Sequence, residues 1–134
     1  MRIRDYEPGD YSAVKAIHDA TEIDYSFPDL NTPLFLVTKV VEDDQGVVRV
    51  CGGAYIQCET YLWLDPSDWA DSADKLAAIN ALDGVVLHDV YLRGVNEAVL
   101  YLPPGMDRFG ERLVEMGWNK NRDGWICYHK RLDA

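Results

Sequence analysis

Residues 34–57 read Leu-Phe-Leu-Val-Thr-Lys-Val-Val-Glu-Asp-Asp-Gln-Gly-Val-Val-Arg-Val-Cys-Gly-Gly-Ala-Tyr-Ile-Gln. Two runs rich in β-branched and aromatic residues flank Glu42–Gly46, a polar connection that ends in glycine, which is the pattern of an antiparallel hairpin. Gly52-Gly53 lies inside the second run, where glycine weakens regular pairing unless it marks a bulge or a close backbone approach. The hairpin makes a sheet the centre of the fold, and the remaining elements arrange around it.

On the N-terminal side, Met1–Tyr6 reads as a short strand, and Pro8-Gly9-Asp10 as a turn whose Asp10 is placed to accept hydrogen bonds from the first N–H groups of a helix. That helix extends to about Ile23, with Tyr11, Val14, Ile17 and Ala20, backed by Ala13 and Ala16, on one apolar face. Asp24–Pro33 holds two prolines, an asparagine, Tyr25 and Phe27, and reads as a covering loop or a short distorted helix. On the C-terminal side, Cys58–Leu64 reads as a third hairpin-connected strand stopped by Pro66.

Ser67–Asp74 has the composition of a helix start. A stripe of Leu76, Ile79, Leu82, Val86 and Val90 carries the helix to Arg93-Gly94; Asp83-Gly84 interrupts it and leaves a strand over Val85–Leu92 as the alternative. Val95–Leu102 reads as a strand ended by Pro103-Pro104. Met106, Phe109, Leu113 and Met116 define a helix face, with Gly117 placed for a left-handed cap. A final hairpin turns at Asp123-Gly124, with Trp125, Cys127 and His129 on one face and Ile126 and Tyr128 on the other.

The 134 residues carry 13 Lys and Arg against 23 Asp and Glu, a net charge of −10. Length, the absence of repeats and the lack of a Gly/Ser linker predict a single domain over residues 1–134. No apolar run approaches the ~20 residues needed to cross a bilayer, and Met1–Glu7 lacks a hydrophobic signal region, so neither membrane spanning nor secretion is expected. The acidic balance opposes attraction to nucleic-acid phosphates and suits a basic small molecule or basic peptide. Cys51, Cys58 and Cys127 are odd in number, lie in strand-like runs and lack metal-site spacing, which predicts reduced core or half-core thiols in a cytoplasmic protein without a metal.

The order strand, helix, antiparallel meander, helix, strand, helix, terminal hairpin resembles the GNAT superfamily of acyl-CoA N-acyltransferases. Three stretches carry the resemblance: Ile3-Arg4-Asp5-Tyr6 with Asp10, the Leu34–Gln57 hairpin with its glycines, and Phe109–Trp118, a helix closing on a Gly-aromatic pair. It implies an α+β fold with a mixed, mostly antiparallel central sheet flanked by helices. It also implies N-acetyl transfer from acetyl-CoA to an amine, with a cleft between the Glu59–Asp65 and Val95–Leu102 strands.

By the same resemblance Glu59 is the base or proton relay and Tyr101 the acid, because Leu113 stands where the family often places a tyrosine. The backbone of Leu62, Trp63 and Leu64 holds the pantetheine arm, and Lys75 is the cation within reach of a phosphate. The family grips the diphosphate in a glycine-rich loop at a helix start, where bare N–H groups and the helix dipole favour an anion. The matching stretch here, Asp65–Lys75, has no glycine and no arginine. From Val50 to Asp74 there is no Lys or Arg, while Glu59, Asp65, Asp68, Asp71 and Asp74 are acidic.

His18, His88 and His129 fall in three separate elements and read as surface or satisfied core residues. Nucleophile-elbow, P-loop and dinucleotide fingerprints are missing from the sequence. A rival to catalysis is a binding module that recognises a basic partner through Asp65–Asp74, with Trp69 as an exposed contact.

Overall fold

The computed structural model describes residues 1–121 and 123–132. It is an α+β protein that divides into two compact units, Met1–Thr60 with Leu87–Val99, and Tyr61–Val86 with Leu100–Ala134.

In the first unit, β1 (Arg2–Asp5), β2 (Phe35–Glu42) and β3 (Val48–Tyr55) form an antiparallel sheet in the order β1-β2-β3. The hairpin predicted from residues 34–57 is β2 and β3, with Val40 opposite Cys51 and Lys39 opposite Gly52. Its register shifts between Phe35 and Val37, where Leu36 is the extra residue. Gly53 lets the strands approach here: a Cβ on it would sit 2.8 Å from the Val37 carbonyl oxygen and 3.1 Å from Thr38 Oγ1, whereas one on Gly52 would meet nothing within 4 Å. The close approach foreseen at the glycines is therefore at Gly53, and the bulge it accompanies is on the opposite strand.

Helix α1 (Tyr11–Ala20) buries Val14 against Val40 and Val48. Tyr6, Ile17, Phe27, Leu30 and Cys51 pack around these three valines. Phe27 and Leu30 come from the irregular segment, which does cover the core as its prolines and aromatics suggested. The helix is shorter than its sequence pattern, because Thr21 closes the last turn onto Ile17 and His18 and Glu22 takes a left-handed φ of 56°.

Asp10 does not cap α1 as expected. It is buried, and its carboxylate receives both terminal nitrogens of Arg4 at 2.8 Å and the Glu7 N–H at 2.8 Å. Arg4 Nε donates to Glu42 at 3.0 Å. A bidentate guanidinium–carboxylate pair is the stronger partnership, and it outcompetes the helix N–H groups for the same oxygens.

The third strand is also corrected. Only Cys58–Glu59 is strand (β4), and it pairs in parallel with β5 (Ala98–Val99) instead of continuing the hairpin from β3. The Cys58 N–H donates to the Glu97 carbonyl and the Thr60 N–H to the Val99 carbonyl, so the donors are spent on β5. The strand foreseen over Val95–Leu102 is correspondingly short. Pro103 and Pro104 supply no donors beyond it, and the Asn96 side chain is taken by the Tyr55 hydroxyl at 2.7 Å.

Helix α2 (Ser72–Leu92) runs unbroken through Asp83-Gly84, which decides for helix over strand across residues 85–92. In the second unit, α3 (Asp107–Glu115) buries Leu113 and ends as predicted at Gly117, φ 100°. The Trp118 N–H donates to Leu113 O at 3.0 Å and the Gly117 N–H to Val114 O at 3.1 Å, a six-to-one and five-to-two closure that satisfies the last carbonyls. Trp118 Nε1 then donates to Asp83 of α2 at 3.2 Å. The final hairpin does not form: the Asp123-Gly124 turn is present, with Gly124 at φ 80°, but the described residues after it contain no strand. A two-stranded ribbon is marginal in isolation. Arg122 and residues 133–134 lie outside the described residues. Cys127 is exposed, not core; Cys51 and Cys58 are half-buried, and all three thiols are free.

Replacing Asp10 with alanine leaves a largely enclosed guanidinium with half its partners and is expected to cost about 2 kcal/mol in urea unfolding. The Arg4 guanidinium, with help from the Glu7 N–H, pulls the Asp10 carboxyl from 3.8 down to about 2. A group depressed on folding stabilises above its unfolded value, so this contribution is complete at neutral pH and drains away as pH falls below 3.8 towards about 2. The alanine variant should lose that part of the acid dependence in parallel melts.

Candidate functional site

The resemblance sets a cofactor's diphosphate at the start of α2, and the hydrogen bonds there are specific. The helix starts at Ser72, later than the Ser67 suggested by composition, because Asp71 takes the capping position: its Oδ1 accepts the Asp74 N–H at 2.8 Å, and its carbonyl accepts the Lys75 N–H at 3.0 Å. Upstream, Asp65 Oδ1 accepts the Ser67 N–H at 2.9 Å and the Asp65 carbonyl accepts Trp69 Nε1 at 3.2 Å. Lys75 Nζ donates to Ser67 O at 2.9 Å and lies 5.9 Å from the centre of the Trp69 ring. The Asp65 carboxyl is held below its usual range, first by the Ser67 N–H, then by the Ser67 hydroxyl and Lys75.

This arrangement does not fit a diphosphate. A capping carboxylate is already an anion at the positive end of the helix, and it uses a donor a phosphate oxygen would need. Asp65, Asp68 and Asp74 add like charge, and Lys75, the one cation foreseen for a phosphate, is turned onto the Ser67 carbonyl. Trp69, foreseen as an exposed contact, is half-exposed and engaged at its nitrogen by Asp65 and over its ring by Lys75.

The other site residues are divided between the two units. Glu59 is exposed, on β4 opposite Val99. Thr60 extends the ladder, its N–H at 2.8 Å and its hydroxyl at 3.2 Å from Val99 O. Glu59 belongs to the first unit, whereas Leu62, Trp63, Leu64 and Tyr101 belong to the second. Tyr101 is exposed, with its hydroxyl 3.9 Å from Cys127 Sγ. Leu62 and Leu64 are partly open, and Trp63 is 86% exposed. Tyr61 and Trp63 stack, with ring centres 5.7 Å apart and planes 10° from parallel. This stack was missed as a feature in its own right, although aromatic residues two apart signal it.

The histidines remain separate. His88 and His129 are exposed, and His18 lies in α1 among aromatic rings, 4.6 Å from Tyr25 and 5.1 Å from Phe27. His18 Nδ1 is buried without a hydrogen-bond partner, so the ring serves as a packing surface, not as the satisfied core polar group foreseen. Among the described residues there is no group of three or more His, Cys, Asp or Glu side chains able to hold a metal ion, and no helix long and apolar enough to cross a membrane.

Comparison with known proteins gives no match, whether to a family model, a curated protein or a solved structure.

The capping role of Asp71 makes a direct prediction. Asp71→Ala removes the acceptor and is expected to destabilise the helix start by about 1 kcal/mol, whereas Asp71→Asn, which keeps an acceptor oxygen, changes stability by only a few tenths. Urea melts followed by far-ultraviolet circular dichroism separate the two outcomes.

Proposed function

We propose that this chain is a GNAT-like domain that recognises a basic partner, either a cationic small molecule or a basic peptide segment, through the acidic surface of residues 65–74. The scaffold assignment draws on the order strand, helix, antiparallel hairpin, helix, strand, helix and on the pairing of β4 with β5, the two segments between which the resemblance sets its cleft. The functional reading rests on one observation: the α2 start, where the family holds its cofactor's diphosphate, is filled by the chain's own carboxylates, with Asp71 on the Asp74 N–H. What remains outward at that place is negative charge, and negative charge selects cations.

A second reading, N-acetyl transfer from acetyl-CoA to such an amine with Glu59 as relay and Tyr101 as acid, is favoured by the parallel register that sets Glu59 opposite Val99. The two readings share the amine and differ in the donor.

Calorimetric titration of the full chain with acetyl-CoA and, separately, with a hexalysine peptide tells them apart. The expected result is no heat and no thermal shift with acetyl-CoA at about 1 mM, and peptide binding at low salt that is lost at roughly 0.5 M salt, where the screening length is only a few ångströms. The double variant Asp68→Asn/Asp71→Asn, which keeps the helix cap, should weaken the peptide several-fold. Saturable binding of acetyl-CoA would move the conclusion to acyl transfer, and peptide binding unchanged in the double variant would remove the acidic surface from it.

A further inference from the structure

The β1-β2-β3 order leaves β3 hydrogen-bonded along β2 alone, and among the described residues no backbone bond from another element reaches its outer side. The bonds just beyond its two ends also run inward, from the Asp43 N–H to Val47 O and from the Ile56 N–H to Leu34 O. An open edge is a row of unpaired donors and acceptors, and chains ordinarily guard it with charge or proline. From Val50 to Tyr55 this edge has neither, and Gly52, Gly53 and Ala54 are exposed.

The strand register determines which side chains flank that edge. Val40 is enclosed on the core face, so its neighbours Val37, Lys39 and Val41 share the opposite face of β2. Cross-strand pairing puts Ile3, Val41 and Val50 in one row there, Asp5, Lys39 and Gly52 in the next, and Val37 with Ala54 in a third. Ile3 is 71%, Val50 56% and Val37 44% exposed. Asp5 and Lys39 pair with each other, as do Arg49 and Asp43 at the hairpin end. The edge is therefore locally neutral in a chain whose net charge is −10.

We propose that β3 is the docking edge for a second copy of this chain, antiparallel about a two-fold axis at Gly52, which joins two three-stranded sheets into one of six strands. In that register Val50 faces the partner's Ala54, and the exposed row Ile3–Val41–Val50 runs on into the partner's Ala54 and Val37. The two-fold axis repeats the same match on its other side, so the edge is complementary to itself. Glycine stands opposite glycine at the axis, where no side chain holds the strands apart. Two strongly acidic copies repel over most of their surface and meet most readily where charge is cancelled. The Lys39 side chains of the two β2 strands lie three strand spacings apart, about 14 Å, beyond the screening length at physiological salt. This joint belongs to the first unit's sheet and does not depend on the acidic surface.

Sedimentation velocity of the full chain tests the proposal. One strand on one strand is a small joint, so a monomer–dimer equilibrium with a Kd on the order of 100 µM is expected between about 5 µM and about 500 µM chain. Gly52 is not left-handed and a Cβ on it meets nothing within 4 Å, so Gly52→Lys should melt as the parent does. It sets like charges opposite each other across the axis and should weaken the dimer about tenfold. Gln45→Lys, the same charge added in the exposed turn, should leave the dimer unchanged. In a Cys127→Ser background, mild oxidation should link Gly52→Cys into a disulfide dimer, because opposed residues bring their Cα atoms to about 5 Å, and should leave Gln45→Cys unlinked. A chain that stays monomeric, a dimer indifferent to Gly52→Lys, or a Gly52→Cys variant that does not cross-link each overturns the proposal. Species larger than a dimer, built by β3 on the β1 edge of the next copy, overturn it as well.

Discussion

The Arg4 guanidinium is rigid and planar, and besides the Asp5 carbonyl it donates to two carboxylates that reach it from different parts of the chain. Asp10 comes from the turn that launches α1, and Glu42 from the far end of β2. Satisfying all three groups fixes where β1 lies on β2 and how the chain leaves β1 for the helix. That helix in turn delivers Val14 onto Val40 and Val48, the centre of the first unit's small core. The valines provide the apolar burial, but the ion network determines that they meet. Charge-assisted bonds of this kind have strict angular needs, which a purely apolar contact does not.

Sequence reasoning succeeded where the pattern and the physics were local. Residues 34–57 announce a hairpin because both strands and their turn are contiguous, and Gly117 announces a cap because a left-handed residue after a helix favours glycine. The first half of α2 was legible from its apolar stripe, but past Asp83-Gly84 the sequence left helix and strand both open over Val85–Leu92, and the structure decides for helix. What could not be read was competition at a distance. Asp10 looks like a cap in sequence because its rival suitor, Arg4, becomes visible only when β1 is laid beside the turn. Cys58–Leu64 looks like a third meander strand because nothing in its composition reveals that the Cys58 and Thr60 N–H groups will be claimed by Glu97 and Val99.

The candidate site was legible in the same uneven way. The acidic character of residues 65–74 and the missing glycines were plain from the letters alone. Their meaning came from geometry: Asp71 on the Asp74 N–H, Asp65 on the Ser67 N–H, and Lys75 drawn back to Ser67 and Trp69. A helix start offers a limited number of donors, and here the chain has answered some of them itself. The carboxylates that disfavour a phosphate at this place favour positive charge there. Glu59 and Tyr101, which the resemblance pairs as base and acid, belong to separate units.

The sheet of the first unit also carries information about how the chain assembles. Strands β2 and β3 are neighbours in sequence, whereas β1 pairs residue by residue with β2 from Arg2 opposite Glu42 to Asp5 opposite Lys39, across a stretch of chain that includes α1 and the proline-bearing segment. Bringing such distant partners together requires closing a long loop before any contact rewards it. The hairpin is therefore the natural early nucleus, and the arrival of β1 the late step that completes the sheet. Ribosomal synthesis exposes β1 first, yet it must wait for the hairpin to emerge, leaving its unpaired edge open to stray partners in the interval.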